Sequence, residues 1–495
     1  MGYYSIKSGP SGKYLDYMSC KSFSENVSVL QRDNQETGKR EMLPAAGNRN
    51  GTEFNNVGSN GNYWSSSLNT DNPNNAWNLN FNSTNGNMNN NNRNNGFSVR
   101  PVTEFTFRLP LSFDISPEQL LLDLYRAYKD ARKHKRRKNY QLFFECNLEK
   151  ELILLRNEIY SKRYKPQPSS CFIIHEPKMR EIFAAQFRDR IVHHLLYNYL
   201  VPMLEPGFIE DSYSCIKGRG THYGISRLER MISNISVNYS SPCYILKLDI
   251  EGYFMHINRR KLLDICMSSI EPFCHCPEYS LVSYLLEVIV LDNPVCNCQY
   301  IGQISEWQYL PKSKSLFCSP KDCGLPIGNL TSQLFSNIYM NYFDKKMEAI
   351  LGGGRYGRYV DDMYVVGSNT AELRKIIVKS SSILSELGLN LNRNKIAIYS
   401  AYRGVEFLGA FLKPFRKYLS NHTLMRIRSK ISVIKSYPQQ KRFNSINSYL
   451  GLTSHFKAFN IRKKWIEESL QFAYKEGFFT RGLLKYRLKD VKYSL

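Results

Sequence analysis

The sequence predicts a mixed α/β (α+β) fold whose chemistry sits on a sheet, and three observations carry that prediction. Residues 358–367, RYVDDMYVVG, set Asp361 and Asp362 between runs of strand type. Tyr244 to Asp249, YILKLD, is a short apolar run that ends in a carboxylate. Helical spacing of apolar residues appears over residues 117–134 (Leu120, Leu121, Leu124, Tyr128), over 148–160 and over 424–435. Adjacent carboxylates repel each other and resist burial among apolar neighbours. Either a divalent cation binds them or they form a solvated hairpin turn, the commoner meaning of such a pair.

At 495 residues the chain has room for several cores, and its formal net charge is +24. Residues 1–105 hold 9 Lys/Arg against 8 Asp/Glu, so the other 390 carry 58 against 35, a surplus of 23. The polyanion partner therefore belongs to the larger C-terminal part, and nucleic acid is the usual use of such a surplus. Twelve cysteines follow no short-domain framework and no signal-peptide pattern opens the chain, which predicts reduced, intracellular thiols. The apolar run at 284–291 is far too short to span a bilayer, so no membrane segment is predicted.

In order along the chain, residues 1–42 show no sustained period. Residues 47–102 contain 21 asparagines, a bias typical of disordered low-complexity tracts. Within that tract, residues 62–67 (NYWSSS), 76–81 (AWNLNF) and 96–102 (GFSVRPV) keep aromatic and β-type residues at alternating positions, which is strand patterning. A basic run at 132–138 closes the first helix, and it reads equally as a solvated helix end or a nucleic-acid contact. A second helix at 148–160 ends in a turn at Arg163, Tyr164, Lys165 and Pro166. Cations then gather at Lys178, Arg180, Arg188 and Arg190, and residues 217–222, KGRGTH, form a loop able to approach a phosphate backbone. That loop lacks the Gly-Lys-Ser/Thr of a phosphate-cradling nucleotide loop.

Asp249 lies 112 residues before Asp361. A strand-end aspartate beside a strand-turn-strand pair is the carboxylate set that two-metal phosphoryl transfer requires, and hard oxygen ligands suit Mg²⁺. Between them, Cys274, His275, Cys276, Cys296, Cys298, Cys318 and Cys323 admit a zinc reading, but C-x-C spacing differs from the usual knuckle and reduced structural thiols are preferred. Residues 416–495 carry 18 Lys/Arg against 4 Asp/Glu on helical patterns with Tyr449, Phe456, Phe459 and Trp465 interleaved. A basic helical segment resting on a nucleic-acid backbone fits that pattern, with a solvated basic tail as the alternative.

Residues 110–460 resemble a reverse transcriptase. LKLDIEGYF is similar to the family's first aspartate motif, GLPIGNLTSQLFSN to its middle motif, RYVDD to its second aspartate motif, and LGLNLNRNKIAIYS and VEFLGAFL to the two that follow. The resemblance implies a right-hand polymerase of fingers, palm and helical thumb that copies RNA into DNA. It implies that Asp249, Asp361 and Asp362 are catalytic and bind two Mg²⁺ ions, Mn²⁺ being a possible substitute, with the Ile250 carbonyl as a further ligand. Phe254 would be the steric gate against a 2′-hydroxyl, Arg180 the triphosphate clamp with Lys178 and Arg188 as weaker candidates, and Lys395 the general acid toward pyrophosphate.

The middle motif departs from the common Gln-Gly and Ser-Pro form, having Ile327 and Gly328 and then Ser332 and Gln333. This IGNLTSQ form resembles the reverse transcriptases of diversity-generating retroelements. Ile327 and Gln333 would then border the nucleotide, and an apolar Ile327 would loosen base-pair positioning and lower fidelity. The Asn-rich stretch resembles, independently, the C-terminal end of those elements' variable proteins, which have a C-type-lectin-like fold. Residues 43–102 would then be a translated template repeat, disordered or lectin-like as a peptide, between an unassigned segment 1–42 and fingers and palm at 106–415, with the thumb at 416–495. The family implies a template-repeat RNA, the RNA/cDNA hybrid, dNTPs and a small basic accessory variability protein, monomeric or oligomeric, as partners. It also implies mutagenic retrohoming with errors at adenines, in the cytoplasm of a bacterial, archaeal or phage host. A group II intron or retron type reverse transcriptase of ordinary fidelity is the alternative enzyme. A non-catalytic nucleic-acid-binding or lectin-like ligand-binding protein is the alternative from another class.

Overall fold

The computed structural model describes residues 113–133, 138–176 and 178–489, together with strands and short stretches between residues 18 and 97. The chain divides into two compact units, residues 1–111 and 112–495. Of the stretches singled out above, residues 134–137 of the basic run, 96 and 98–102 of the third strand pattern and 490–495 of the basic C-terminal stretch lie outside the described residues.

In the first unit, strands Met18–Ser24, Val27–Asp33 and Arg40–Pro44 form an antiparallel sheet, and Asn48–Asn50 pairs with Glu53–Asn55. Gly61–Leu68, Asn75–Phe81 and Gly86–Asn92 form a second antiparallel sheet. Leu79 and Phe81 are buried at alternate positions of the middle strand, as strand patterning requires, and Tyr63 is buried beside them. Asparagine takes part in the interior too. Asn62 and Asn78 are buried, and Asn62 Oδ1 accepts from Asn80 Nδ2 at 2.6 Å while Asn78 Oδ1 accepts from Asn91 Nδ2 at 2.8 Å. The amides satisfy one another across strands, which lets polar residues occupy a sheet interior.

The second unit mixes helices and sheets, the α/β class expected from the sequence. Helix Pro117–Arg132 is capped by Ser116, whose side chain accepts from Gln119 N, and helices Asn139–Cys146 and Leu148–Tyr160 follow. The fingers sheet pairs Ser169–Ile174 antiparallel with Arg180–Ala184 and, in parallel, with Cys298–Tyr300. Cations 188 and 190 lie on helix Phe187–Leu204.

The palm sheet has the order Tyr356–Tyr359, Asp362–Gly367, Tyr244–Asp249, Ala397–Ser400. Its back face packs on helix Thr221–Ile235, burying Ile225, Leu228, Met231, Ile245, Tyr364, Val366 and Phe407 in one core. Full burial of such side chains contributes roughly 1.5–3 kcal/mol each, which makes the sheet a rigid platform. Helix Leu330–Leu351 lies alongside and ends at Gly352, whose φ of 74° is the left-handed conformation glycine adopts at helix C-termini.

Residues 416–419, assigned above to the helical thumb, are instead the third strand of a small sheet with Val405–Phe407 and Ala410–Lys413. The chain reverses at Phe415, which has a φ of 60°, so the thumb helices begin at Asn421. Helices Asn421–Val433, Gln439–Ser454 and Phe459–Ser469 enclose their own core around Ile431, Ile446, Leu450, Trp465 and Tyr486. Strands Gly477–Phe479 and Tyr486–Leu488 complete it, so this part is not wholly helical. Among the described residues, no helix is long and apolar enough to cross a membrane.

Candidate active site

The two aspartate stretches become neighbours because their strands pair. Tyr244–Asp249 runs antiparallel to Asp362–Gly367 with Asp249 opposite Asp362. Tyr359 pairs with Asp362, leaving Val360 and Asp361 as a two-residue hairpin turn. Val360 has a φ of 59° and Asp361 does not share that sign, the arrangement of a II′ turn, where glycine is the usual first residue. The three carboxylates predicted from sequence are thus placed at one end of the palm sheet.

The environment of the pair is electrostatically loaded. Burial, then the charge of Asp249, then that of Asp362, raise the pKa of Asp361, against its own backbone N–H and Lys395. Burial raises that of Asp362 against the opposing pull of Lys247. Lys395 Nζ donates to Asp249 Oδ2 at 2.7 Å, and Lys247 Nζ lies 3.3 Å from Asp362 Oδ1. The loop that carries Lys395 is tied to the Asp249 strand by Asn392 N donating to Asp249 O at 2.8 Å and Glu251 N donating to Asn390 O at 2.9 Å. Ile250, the predicted carbonyl ligand, is buried and bridges to Leu391.

Phe254 and Ile327 are brought together as well. Both pack on one apolar cluster built on Cys171, Phe183, Met255 and Leu316. Leu325 N donates to Phe254 O at 2.8 Å and Phe183 N to Ile327 O at 2.8 Å, so the middle motif stitches the Phe254 turn to the fingers. Gly328 is required here: with a φ of 132°, a Cβ would meet the Phe183 carbonyl oxygen at 2.7 Å. Gln333 is exposed on the following helix and accepts from Cys215 Sγ at 3.1 Å.

Of the fingers cations, Arg180 is exposed at the start of its strand. Lys178 is exposed and lines a cavity of about 380 Å³ with His222, Glu406, His422 and Arg426, beside the thumb. Arg188 is engaged elsewhere: its guanidinium pairs with Glu158 and stacks 5.5 Å from the Tyr164 ring. Arg219 of the glycine loop is also occupied, donating to the carbonyls of Ile209, Glu210 and Ser212.

Two residues of the site escaped sequence reading. Lys247 shares a strand face with Asp249 by two-residue periodicity, and that signal was available. Arg358 is 1 % exposed and paired with Asp344, whose position 14 residues earlier on a helix carries no sequence signature.

Residues 166–412 match the family described as reverse transcriptase (RNA-dependent DNA polymerase). This stretch is a reverse transcriptase domain. It is the domain of an RNA-directed DNA polymerase, and such domains use divalent metal ions. The donor set fits that chemistry in kind, since carboxylate oxygens are hard ligands and partly buried, mutually repelling acids gain from a cation. Among the described residues no group of three or more His, Cys, Asp or Glu side chains is gathered as a ready metal site, and Asp249 and Asp362 face lysines instead. The same statement covers the cysteines, whose described members are all free.

Residues 24–102 match a second family, a domain of unknown function (DUF8237). Protein YkfC of Escherichia coli K12 is 24 % identical over 346 residues, covering 62 % of this chain and 81 % of that protein. Among solved structures, apo telomerase from Candida tropicalis aligns with a TM-score of 0.40 at 14 % identity, covering 64 % of this chain and 60 % of that one. Telomerase from Candida albicans with a telomeric RNA fragment aligns at 0.37 and 12 %, covering 68 % and 61 %. The chain spans about three-fifths of those telomerase chains.

Proposed function

We propose that the reverse transcriptase domain copies a template-repeat RNA into cDNA with errors concentrated at adenines, as the polymerase of a diversity-generating retroelement. The observation that carries the polymerase reading is the pairing of Asp249 with Asp362 beside the Asp361 turn. The IGNLTSQ motif and the Asn-rich strands of the first unit support the subclass.

In this reading Asp249, Asp361, Asp362 and the Ile250 carbonyl would hold two Mg²⁺ ions, for which Mn²⁺ could substitute. The ions would supply Lewis-acid activation of the primer hydroxyl and neutralise charge on the leaving pyrophosphate. Lys247 and Lys395 compensate the carboxylates, and Lys395 would be the group that protonates pyrophosphate. Phe254 lies beneath the sugar and rejects a 2′-hydroxyl. Ile327 offers the base pair an apolar surface without side-chain hydrogen bonds, and Gln333 follows in the first turn of helix Leu330–Leu351. Arg180, with Lys178, grips the triphosphate through charge-assisted hydrogen bonds. Arg188 keeps a structural role through Glu158. The domain boundaries proposed are 1–42, 43–102, 106–415 and a thumb from 416, its helices starting at 421. An accessory basic protein and a cytoplasmic host setting belong to the same reading.

The test is to sequence cDNA made by the purified protein on its own upstream RNA. Substitutions confined to template adenines are expected. Errors spread evenly over all four bases, or ordinary fidelity, would assign the enzyme to another reverse transcriptase class.

A further inference from the structure

Arg358 stands three residues before Asp361 and is almost completely buried. A buried guanidinium persists only where its donors are used, and here every branch is engaged. Nε and Nη2 form a fork on Asp344, at 2.8 and 2.7 Å, from helix Leu330–Leu351. Nη2 also donates to Ser212 Oγ at 3.1 Å, and Nη1 lies 3.4 Å from Asn337 Oδ1. The remaining bond is the informative one: Nη1 donates to the carbonyl oxygen of Val360 at 3.1 Å.

Val360 is β-branched and has a φ of 59°, a combination that sterics disfavour. Such a residue keeps that conformation only when its surroundings hold it there. The backbone of Arg358 is itself fastened on both sides, Arg358 N donating to Asp211 O at 2.9 Å and Tyr213 N to Arg358 O at 3.0 Å. Its own strand admits no slack either, since a Cβ on the preceding Gly357 would lie 2.5 Å from the Tyr364 hydroxyl and 2.6 Å from that of Tyr213.

We propose that Arg358 is a positioning residue for the polymerase reaction: anchored on Asp344 and Ser212, it holds the Val360 carbonyl and thereby the left-handed turn that aims Asp361 and Asp362 at Asp249. This rests on the reading of those three aspartates as the polymerase carboxylates. The residue acts through the turn and touches no substrate. It also joins the middle-motif helix, which carries Asp344 and Asn337, to the catalytic hairpin.

The experiment is single-nucleotide incorporation by the full chain on an RNA template with a DNA primer, over a Mg²⁺ titration, with urea unfolding in parallel. Arg358→Lys is expected to lower kcat about tenfold to a hundredfold, the scale of a misplaced reacting group, with KM for dNTP within about twofold and a raised Mg²⁺ requirement. Adding Val360→Gly, which lets the turn adopt positive φ unaided, is expected to recover about tenfold or more while the unfolding midpoint stays low. That divergence separates positioning from folding. If Arg358→Lys does not fold, Ser212→Ala, which removes one neutral anchor, takes its place with a loss of several-fold that Val360→Gly again reverses. An unchanged kcat in the first variant, or no recovery in the double variant, overturns the proposal. Asp361→Asn in the same assay is expected to be inactive; activity there would overturn the carboxylate reading and not merely the role of Arg358.

Discussion

Asp189 and His193 occupy adjacent turns of helix Phe187–Leu204, both buried, and they titrate in opposite senses. Burial raises the Asp189 pKa to about 6, against hydrogen bonds from Gln167 N and Tyr164 OH. Burial, then the charges of His194 and Arg190, lower that of His193 to about 4, while its Nδ1 meets Thr331 Oγ1 at 2.7 Å. For Asp189 the folded pKa exceeds the unfolded value, so its stabilisation is complete below about 4 and is lost as pH rises through about 6. For His193 the folded pKa is depressed, so its stabilisation is present above about 6.5 and is lost as pH falls toward about 4. The two nearly cancel in one window. His193→Gln should therefore make the chain gain stability on acidification from pH 6.5 to 4.5, and Asp189→Asn should steepen its acid loss, each by up to about 3 kcal/mol. Urea midpoints across that range check this; parallel curves for wild type and both variants would contradict it. At this scale the sequence was most informative where chemistry is expensive. Two aspartates among Tyr359, Val360, Met363 and Tyr364 announce themselves, whereas the buried Arg358 with its distant partner Asp344 looks like any surface cation until the fold closes.

Elements were legible where one periodicity runs uninterrupted. Helix Leu148–Tyr160 and strand Tyr244–Asp249 coincide with the spans read from their patterns. The segment between helix Tyr279–Leu291 and the middle motif was not legible, because it is short 3₁₀ turns pinned by one buried acid: Glu181 accepts from Trp307 Nε1, Ser315 Oγ and Leu316 N at 2.6–2.8 Å. The strand at Arg416–Leu419 ahead of helix Asn421–Val433 was not legible, because the positive φ at Phe415 that turns the chain into it is not visible in composition. Between elements, the tip of the fingers hairpin reaches the thumb, where Glu176 pairs with Lys430 of helix Asn421–Val433. A carboxylate there occupies a cation that a nucleic-acid phosphate would otherwise meet. Glu176→Gln should tighten binding of an RNA/DNA hybrid a few-fold at low salt. It should also steepen the dependence of log K on log salt by about one phosphate contact. Fluorescence anisotropy over a salt series measures both, and an unchanged slope would remove Lys430 from the hybrid's path.

For the whole molecule, a charge of +24, a palm sheet that joins strands more than a hundred residues apart and a separate thumb core serve one arrangement. In the proposed reading the Lys/Arg surplus faces a polyanion; the sheet brings the three aspartates to one end, and the middle motif is hydrogen-bonded both to Phe183 and to Phe254. Most direct is primer extension on an RNA template with dNTPs and Mg²⁺, comparing wild type with an Asp361→Asn variant whose folding is verified by urea unfolding. A loss of at least about a thousandfold in incorporation is predicted, on the scale of removing an essential electrostatic group. Full incorporation by that variant would contradict the account.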